Sequence, residues 1–281
     1  MVQPSFRVAT PEEAAWYTRR LYPLQDRIFG IAGGYDDRLV LTGGTALARL
    51  YLDHRYSDDI DFFTLQPQAG RLGRDLGNAL LQAGFSVDPV QATPDFFRGN
   101  VSDGITRIQV DVAPDAARVV PPARSALGVF AHDLRDIAAN KISAYENRAE
   151  VKDAVDLFYL SQAEPWSEMF ADAEIKRVPI AYEDLQHFLL QPLSGEALLT
   201  REILSDTFDA FVATLRAEIA AEIKKKVLAA TLQIAEISSS LLWDTPFEDR
   251  NINDRTRPVL ARRAKDLPLP QRIALLEAVR K

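Results

Sequence analysis

Across residues 11–31 apolar positions recur at helical spacing, and Thr10, Pro11, Glu12 and Glu13 supply an N-cap, a first-turn proline and first-turn acids. This predicts a helix that Gly33 and Gly34 end. Residues 38–42 form a short apolar run closed by Gly43 and Gly44, and 45–53 return to helical spacing through Leu47, Leu50 and Tyr51. Strand, glycine turn and helix follow from that. Residues 58–64 alternate, with Ile60 and Phe62 on one face and Asp59, Asp61 and Phe63 on the other. Residues 70–83 read as helix and 85–91 as strand. Runs 96–101 and 105–112 flank Ser102, Asp103 and Gly104, a hairpin signal that sets Arg107, Gln109 and Asp111 on the face opposite Ile108, Val110 and Val112.

Beyond His132 the pattern turns helical: 133–147, 150–161, 182–190, 201–238 with a break, and 268–279. Pro121 and Pro122 mark the change. The expectation is an α/β chain, with a small mixed sheet flanked by helices over residues 1–125 and a helical half over 126–281.

Composition narrows the chemistry. Hydrophobic residues make up 47% and charged residues 26% of 281, which excludes a disordered or low-complexity chain. There is no cysteine, so disulfides, thiolate zinc sites and cysteine nucleophiles are excluded. No signal-peptide-like apolar run and no span of eighteen apolar residues occur, which predicts a soluble, cytoplasmic protein with no membrane partner. The net charge is −7, yet residues 250–281 hold nine Lys or Arg against three Asp or Glu. An acidic body with a basic end can guide an anionic partner to one face; it is equally a solvated helical tail.

Asp59 and Asp61 stand two apart on the predicted strand, so both carboxylates leave the same side. At about 4 Å and an effective dielectric of about 20 their repulsion is about 4 kcal/mol, so the pair either shares a proton or holds a cation. Oxygen ligands suit a hard ion, Mg²⁺, carrying phosphate. Alone, this spacing also describes a solvated strand face. Gly43 and Gly44 add a turn whose backbone N–H groups can come close to a ligand, with the positive end of the next helix behind them. Helices often begin after glycine, but an anion-binding turn and a divalent-ion pair in one strand–helix–strand unit are together what a nucleoside triphosphate needs.

The string LTGGTALARLYLDHRYSDDIDFFT, residues 41–64, resembles the nucleotidyltransferase superfamily motif of a hydrophobic residue, Gly, Gly or Ser, a gap, and Asp-hydrophobic-Asp. Its fuller form, GGTAL followed by HR, Ser and DDIDFF, resembles the AbiEii/AbiGii-type toxin branch, including the MenT-like toxins. NKISAYENRAEVKDAVDLFYL, residues 140–160, is similar to that branch's Lys motif and its following Arg, Lys-Asp and Asp-Leu motif. Fold-level similarity extends over 39–160 and leaves the C-terminal helices uncovered. Fourteen residues separate Gly44 from Asp59, more than in many nucleotidyltransferases, and Thr45 replaces the superfamily's Ser.

The resemblance implies a metal-dependent nucleotidyltransferase toxin of a toxin–antitoxin pair, moving NMP from an NTP to a nucleic-acid acceptor, the tRNA 3′ end. Mg²⁺ is the implied cofactor and a cognate antitoxin the implied partner. Asp59 and Asp61 would hold the metal. Asp111 is the candidate third carboxylate, binding a second ion or deprotonating the attacking hydroxyl, with Asp103 and Asp115 as rivals. Gly43, Gly44, Thr45, Ser57 and Arg55 would bind the nucleotide. Lys141 would neutralise triphosphate charge, Arg148 or Lys152 would meet flanking phosphates or the acceptor, and Asp153 and Asp156 both match acidic positions. If 140–160 were one continuous helix, Lys141, Tyr145, Arg148, Lys152 and Asp156 would share a cationic face; the bland reading is a solvated face with a Lys152–Asp156 pair.

The remaining candidates are weaker. His54 reads as a structural hydrogen-bonding residue, and His132 and His187 lack ligand spacing. No nucleophile-elbow string supports a Ser-His-Asp hydrolase. Lys224, Lys225 and Lys226 form a wet helix face or an RNA contact. Two other functions share these motifs: transfer to a small molecule or protein hydroxyl, and a catalytically silent nucleotide-binding module.

Overall fold

The computed structural model describes residues 6–148, 150–176 and 194–243. The predicted helices at 182–190 and 268–279 and the basic segment 250–281 lie outside the described residues. Two compact units divide the chain, Met1–Glu218 and Ile219–Lys281. Among the described residues no helix is long and apolar enough to cross a membrane.

The first unit is built on a mixed seven-stranded sheet. Helix α1 (Pro11–Trp16) opens with a capping box: Thr10 Oγ1 accepts from the Glu13 amide at 3.2 Å, and the Glu13 carboxylate accepts from the Thr10 amide at 2.8 Å. A π-helical turn, Tyr17–Leu21, leads into α2 (Tyr22–Ala32). After the short strand β1 (Phe6–Val8), the sheet strands are β2 (Val40–Thr42), β3 (Asp59–Thr64), β4 (Ser86–Ala92), β5 (Phe97–Ser102), β6 (Arg107–Pro114), β7 (Ala123–Arg124) and β8 (Phe130–Ala131). Their spatial order is β4-β5-β6-β3-β2-β8-β7, with β3 parallel to β6 and β2 parallel to β8. The strands on either side of Pro121 and Pro122 therefore share one sheet.

Helix α3 (Gly43–Ala46) follows β2 directly and continues as a π-helical turn, Leu47–Leu52. It starts two residues earlier than predicted. Helix α4 (Ala69–Gln82) carries β3 across to β4. On β3 the alternation holds: Ile60 and Phe62 are fully buried, and Phe62 meets Phe29 of α2 edge-on at 6.5 Å. Val110 and Val112 continue this apolar layer on β6, which leaves the opposite face of the sheet to the carboxylates.

Beyond the sheet come α5 (Leu134–Arg148), α6 (Val151–Ala163), α7 (Trp166–Ile175), β9 (Ala197–Leu199) and α8 (Ser205–Trp243). Strands β1 and β9 form a separate parallel pair. Two expectations change here. The break expected in 201–238 is absent, because no Gly or Pro interrupts Ser205–Trp243. Trp166–Ile175 is a helix that periodicity did not single out. The separate helices predicted at 133–147 and 150–161 are present, so 140–160 is not one continuous helix: Glu150 is extended, and the Val151 amide donates to the Ser194 carbonyl at 2.9 Å.

Candidate active site

Register assembles the acidic cluster. On parallel β3 and β6, Asp61 lies beside Asp111 and Asp59 beside Gln109. The three carboxylates share the sheet face away from Phe62, about 5 Å apart from strand to strand. They border a cavity of about 390 Å³ that also meets Arg55, Arg98, Lys141 and Lys152. Asp111 is committed elsewhere. Arg98 stands opposite it on β5 and grips it with Nε at 3.0 Å from Oδ1 and Nη2 at 2.6 Å from Oδ2. Gln109 adds a bond at 3.4 Å. Among the described residues no three His, Cys, Asp or Glu side chains converge closely enough to hold a metal ion.

The glycine turn is occupied by side chains. Gly43 has φ +69°, and a Cβ there would lie 2.2 Å from Asp61 Oδ2; one on Gly44 would lie 2.3 Å from Arg55 Nη2. Gly43 needs glycine for its positive φ, and a side chain at either position would have to displace the carboxylate or guanidinium that presses against the backbone. The open anion cradle expected at Gly43 and Gly44 is thus partly filled by Arg55 and Asp61. Thr45 is buried and its hydroxyl donates to the Asp59 carbonyl, tying the helix start to the acidic strand. Ser57 is buried too and donates to Asp59 Oδ1 at 3.2 Å.

Behind the turn sits a charge-balanced cluster. Asp156 accepts from Arg55 Nε at 2.6 Å and Nη2 at 2.9 Å, from His54 Nε2 at 2.7 Å, and pairs with Lys141 Nζ at 2.6 Å. Lys141 also donates to Asp153 at 3.0 Å. Asp153 and Asp156 are fully buried and Lys141 and Arg55 nearly so. In one continuous helix Lys141 and Asp156 would be about 22 Å apart along the axis. The break near Glu150 folds α6 back on α5 and closes that gap. Of the cationic face expected along 140–160, Lys141 is instead buried and neutralised by Asp153 and Asp156. Lys152 points to Glu150, 3.1 Å away, and not to Asp156. The side chain of Arg148 lies outside the described residues.

A model of the family described as "Nucleotidyl transferase AbiEii toxin, Type IV TA system" matches residues 28–231, which includes the sheet, the glycine turn and the buried cluster. This chain belongs to the AbiEii nucleotidyltransferase toxin family. It is therefore a nucleotidyltransferase of a toxin–antitoxin family, which implies an NTP substrate and an antitoxin partner. Among solved structures it is similar to MenT4, a nucleotidyltransferase toxin from Mycobacterium tuberculosis H37Rv, with 16% identity, 73% of this chain and 85% of that one covered, and a TM-score of 0.50. It is also similar to JHP933 from Helicobacter pylori, with 18% identity, coverage of 81% and 99%, and a TM-score of 0.51. These likenesses concern the fold. No curated protein matches the chain.

Within this AbiEii fold, electrostatics separates the roles of the buried groups. Burial pushes the Asp156 carboxyl up, but Arg55 and Lys141 outweigh it and hold it well below the usual carboxylate range. For His54 burial wins, helped by the positive charges of Arg55 and Lys141, and its pKa falls below the ordinary 6.5. A neutral ring donating from Nε2 to Asp156 leaves Nδ1 as an acceptor, and Nδ1 has no hydrogen-bond partner among the described residues. As pH falls below 6.5 the unfolded chain protonates this histidine and the folded chain does not, so stability contributed above 6.5 is lost toward the folded-state pKa. Urea unfolding at pH 7.5 and 5.5 should therefore show a larger acid-induced loss for the wild type than for His54→Gln; equal losses would remove His54 as the titrating group.

Residue reading missed two participants. Arg98 carries no motif of its own, although counting back from the hairpin pair Ser102 and Arg107 places it opposite Asp111. Tyr17 lies in a stretch whose pattern shows only a helix, yet its hydroxyl donates to Asp58 at 2.5 Å and its ring stacks on Tyr56 at 4.3 Å, at the edge of the cavity. Asp115, the rival of Asp111, pairs instead with His132 at 3.0 Å and Lys176 at 3.3 Å in a second buried cluster. Asp103 caps the hairpin turn by accepting from the Ile105 and Thr106 amides.

Proposed function

We propose that this chain transfers a nucleoside monophosphate from an NTP to a hydroxyl of a nucleic acid, the 3′ end of tRNA, with Mg²⁺ as cofactor. The observation that carries this reading is the alignment of Asp59 and Asp61 with Asp111 across two parallel strands, facing one cavity shared with Lys141 and Lys152. The donor set fits a hard divalent ion, since the acidic wall offers only oxygen ligands and the nearby His54 is buried against Asp156. Asp59 and Asp61 would hold it. When bound, the ion offsets charge on the triphosphate and polarises the α-phosphorus.

The chain's own groups do the rest. Lys141 lines the cavity with its ammonium oriented by Asp153 and Asp156, and would offer the polyphosphate a hydrogen-bond donor held in place by those two ion pairs. Arg55, locked by Asp156, holds the glycine turn in place from behind. Lys152 is about one-third exposed and can leave Glu150 for a phosphate of the nucleotide or acceptor. The acceptor hydroxyl attacks the α-phosphorus and gives up its proton to water, the new P–O bond forms as the bond to the bridging β-phosphate oxygen breaks, and pyrophosphate departs with the β- and γ-phosphates.

The test is incubation of purified protein with Mg²⁺, each α-³²P-labelled NTP and total tRNA. Label on tRNA with stoichiometric pyrophosphate release is expected. Label on a protein or small molecule in place of tRNA would move the acceptor to that class, and nucleotide binding without pyrophosphate release would end the transfer reading.

A further inference from the structure

We propose that Arg98 is a built-in counter-ion for Asp111 that competes with the divalent cation for this third carboxylate and, once displaced, becomes a ligand for the polyphosphate. This rests on the metal-and-nucleotide reading of the cavity. In this reading Arg98 acts on the metal through Asp111 and on the nucleotide directly.

The geometry points there from three sides. First, the pairing is a forked clasp: Nε lies 3.0 and 3.2 Å from the two oxygens of Asp111 and Nη2 2.6 Å from Oδ2, with Gln109 Nε2 on the same oxygen. Both oxygens that would meet a metal are engaged, and no three acidic side chains converge among the described residues. Second, the clasp is set by the fold. Asp111 has Asp61 beside it on β3 and Arg98 opposite it on β5, so one carboxylate lies between an anionic neighbour and a cationic one. Third, the two partners differ in freedom. The Asp111 side chain is 11% exposed and the Arg98 side chain 39%, on a hairpin strand at the cavity edge. Arg98 can swing while Asp111 stays.

The physical consequence is competition followed by exchange. A cation entering beside Asp61 meets a carboxylate already neutralised, so metal alone binds weakly. A polyphosphate offers the guanidinium an equivalent forked partner, which frees Asp111 for the ion. Each ligand then favours the other by the same factor, because the coupling is reciprocal.

Mn²⁺ binding read by electron paramagnetic resonance at low ionic strength tests this without any turnover. In the absence of nucleotide, Arg98→Met should bind Mn²⁺ at least about tenfold more tightly than wild type, and Arg98→Lys, which keeps one charge but not the fork, should fall between. Adding Asp111→Asn to Arg98→Met should abolish the gain. Inorganic triphosphate should bind the Mn²⁺-loaded Arg98→Met protein severalfold more weakly than wild type. Unchanged Mn²⁺ affinity in a folded Arg98→Met protein, while Asp61→Asn still loses the ion, would overturn the proposal and leave the metal reading standing. If Asp61→Asn binds Mn²⁺ as wild type does, the metal reading itself fails.

Discussion

Asp61→Asn is expected to lower nucleotide transfer by at least about 10²–10³-fold, or roughly 3–4 kcal/mol of transition-state stabilisation, while the protein stays folded. The carboxylate lies on a central strand, against Gly43 on one side and in register with Asp111 on the other. Asparagine keeps the shape and removes the charge. It also relieves repulsion from Asp59 and Asp111, which offsets what the fold loses. Asp59→Asn should behave alike, and the paired Asp59→Asn/Asp61→Asn change should cost little more than either alone, because both act through one ion. Initial rates of label transfer at saturating NTP, with circular dichroism as the folding control, decide it. Retention of more than a tenth of wild-type activity in the folded variant would remove Asp61 from the reaction.

The largest effect on stability is expected at Asp156. Asp156→Ala leaves Arg55 and Lys141 buried with Asp153 as their remaining carboxylate in the cluster, and stranding buried charge costs about 3–5 kcal/mol. For a domain of this size the melting temperature should fall on the order of 10 °C. Activity should fall as well, since the guanidinium over Gly44 and the ammonium at the cavity both take their orientation from this carboxylate. A double-mutant cycle checks the cause. Asp156→Leu combined with Arg55→Met should cost clearly less than the sum of the two single changes, because the charge stranded by one is removed by the other. Strict additivity in denaturant unfolding would show that the pair is not a unit.

Much of the fold was legible along the chain because its signals are local. Thr10 and Glu13 start a helix through hydrogen bonds spanning three residues, and the alternation of Ile60 and Phe62 with Asp59 and Asp61 follows from the strand's own pleat. The hairpin around Asp103 is local as well, and its register implied Arg98 opposite Asp111. Along 140–160 local pattern gave the two helices but not how they pack. Helical spacing there is genuine on each side of Glu150, yet a single extended residue changes which side chains can touch. Lys152 and Asp156 have the spacing of a surface pair; the turn buries Asp156 and leaves Lys152 about one-third exposed.

The order of residues by itself determined the kind of chemistry available here: no thiol, two aspartates two apart on a strand, and a glycine pair separated from them by fourteen residues. Those are properties of composition and of backbone periodicity, which each short segment carries alone. Only the tertiary structure decided how these groups are used. Whether Asp111 stands beside Asp61 depends on a parallel pairing whose partners are joined by a long crossover, and whether Asp156 meets Arg55 depends on a contact 101 residues apart in sequence. Charges interact through space with a strength set by distance and burial, and neither quantity exists until the chain has closed on itself.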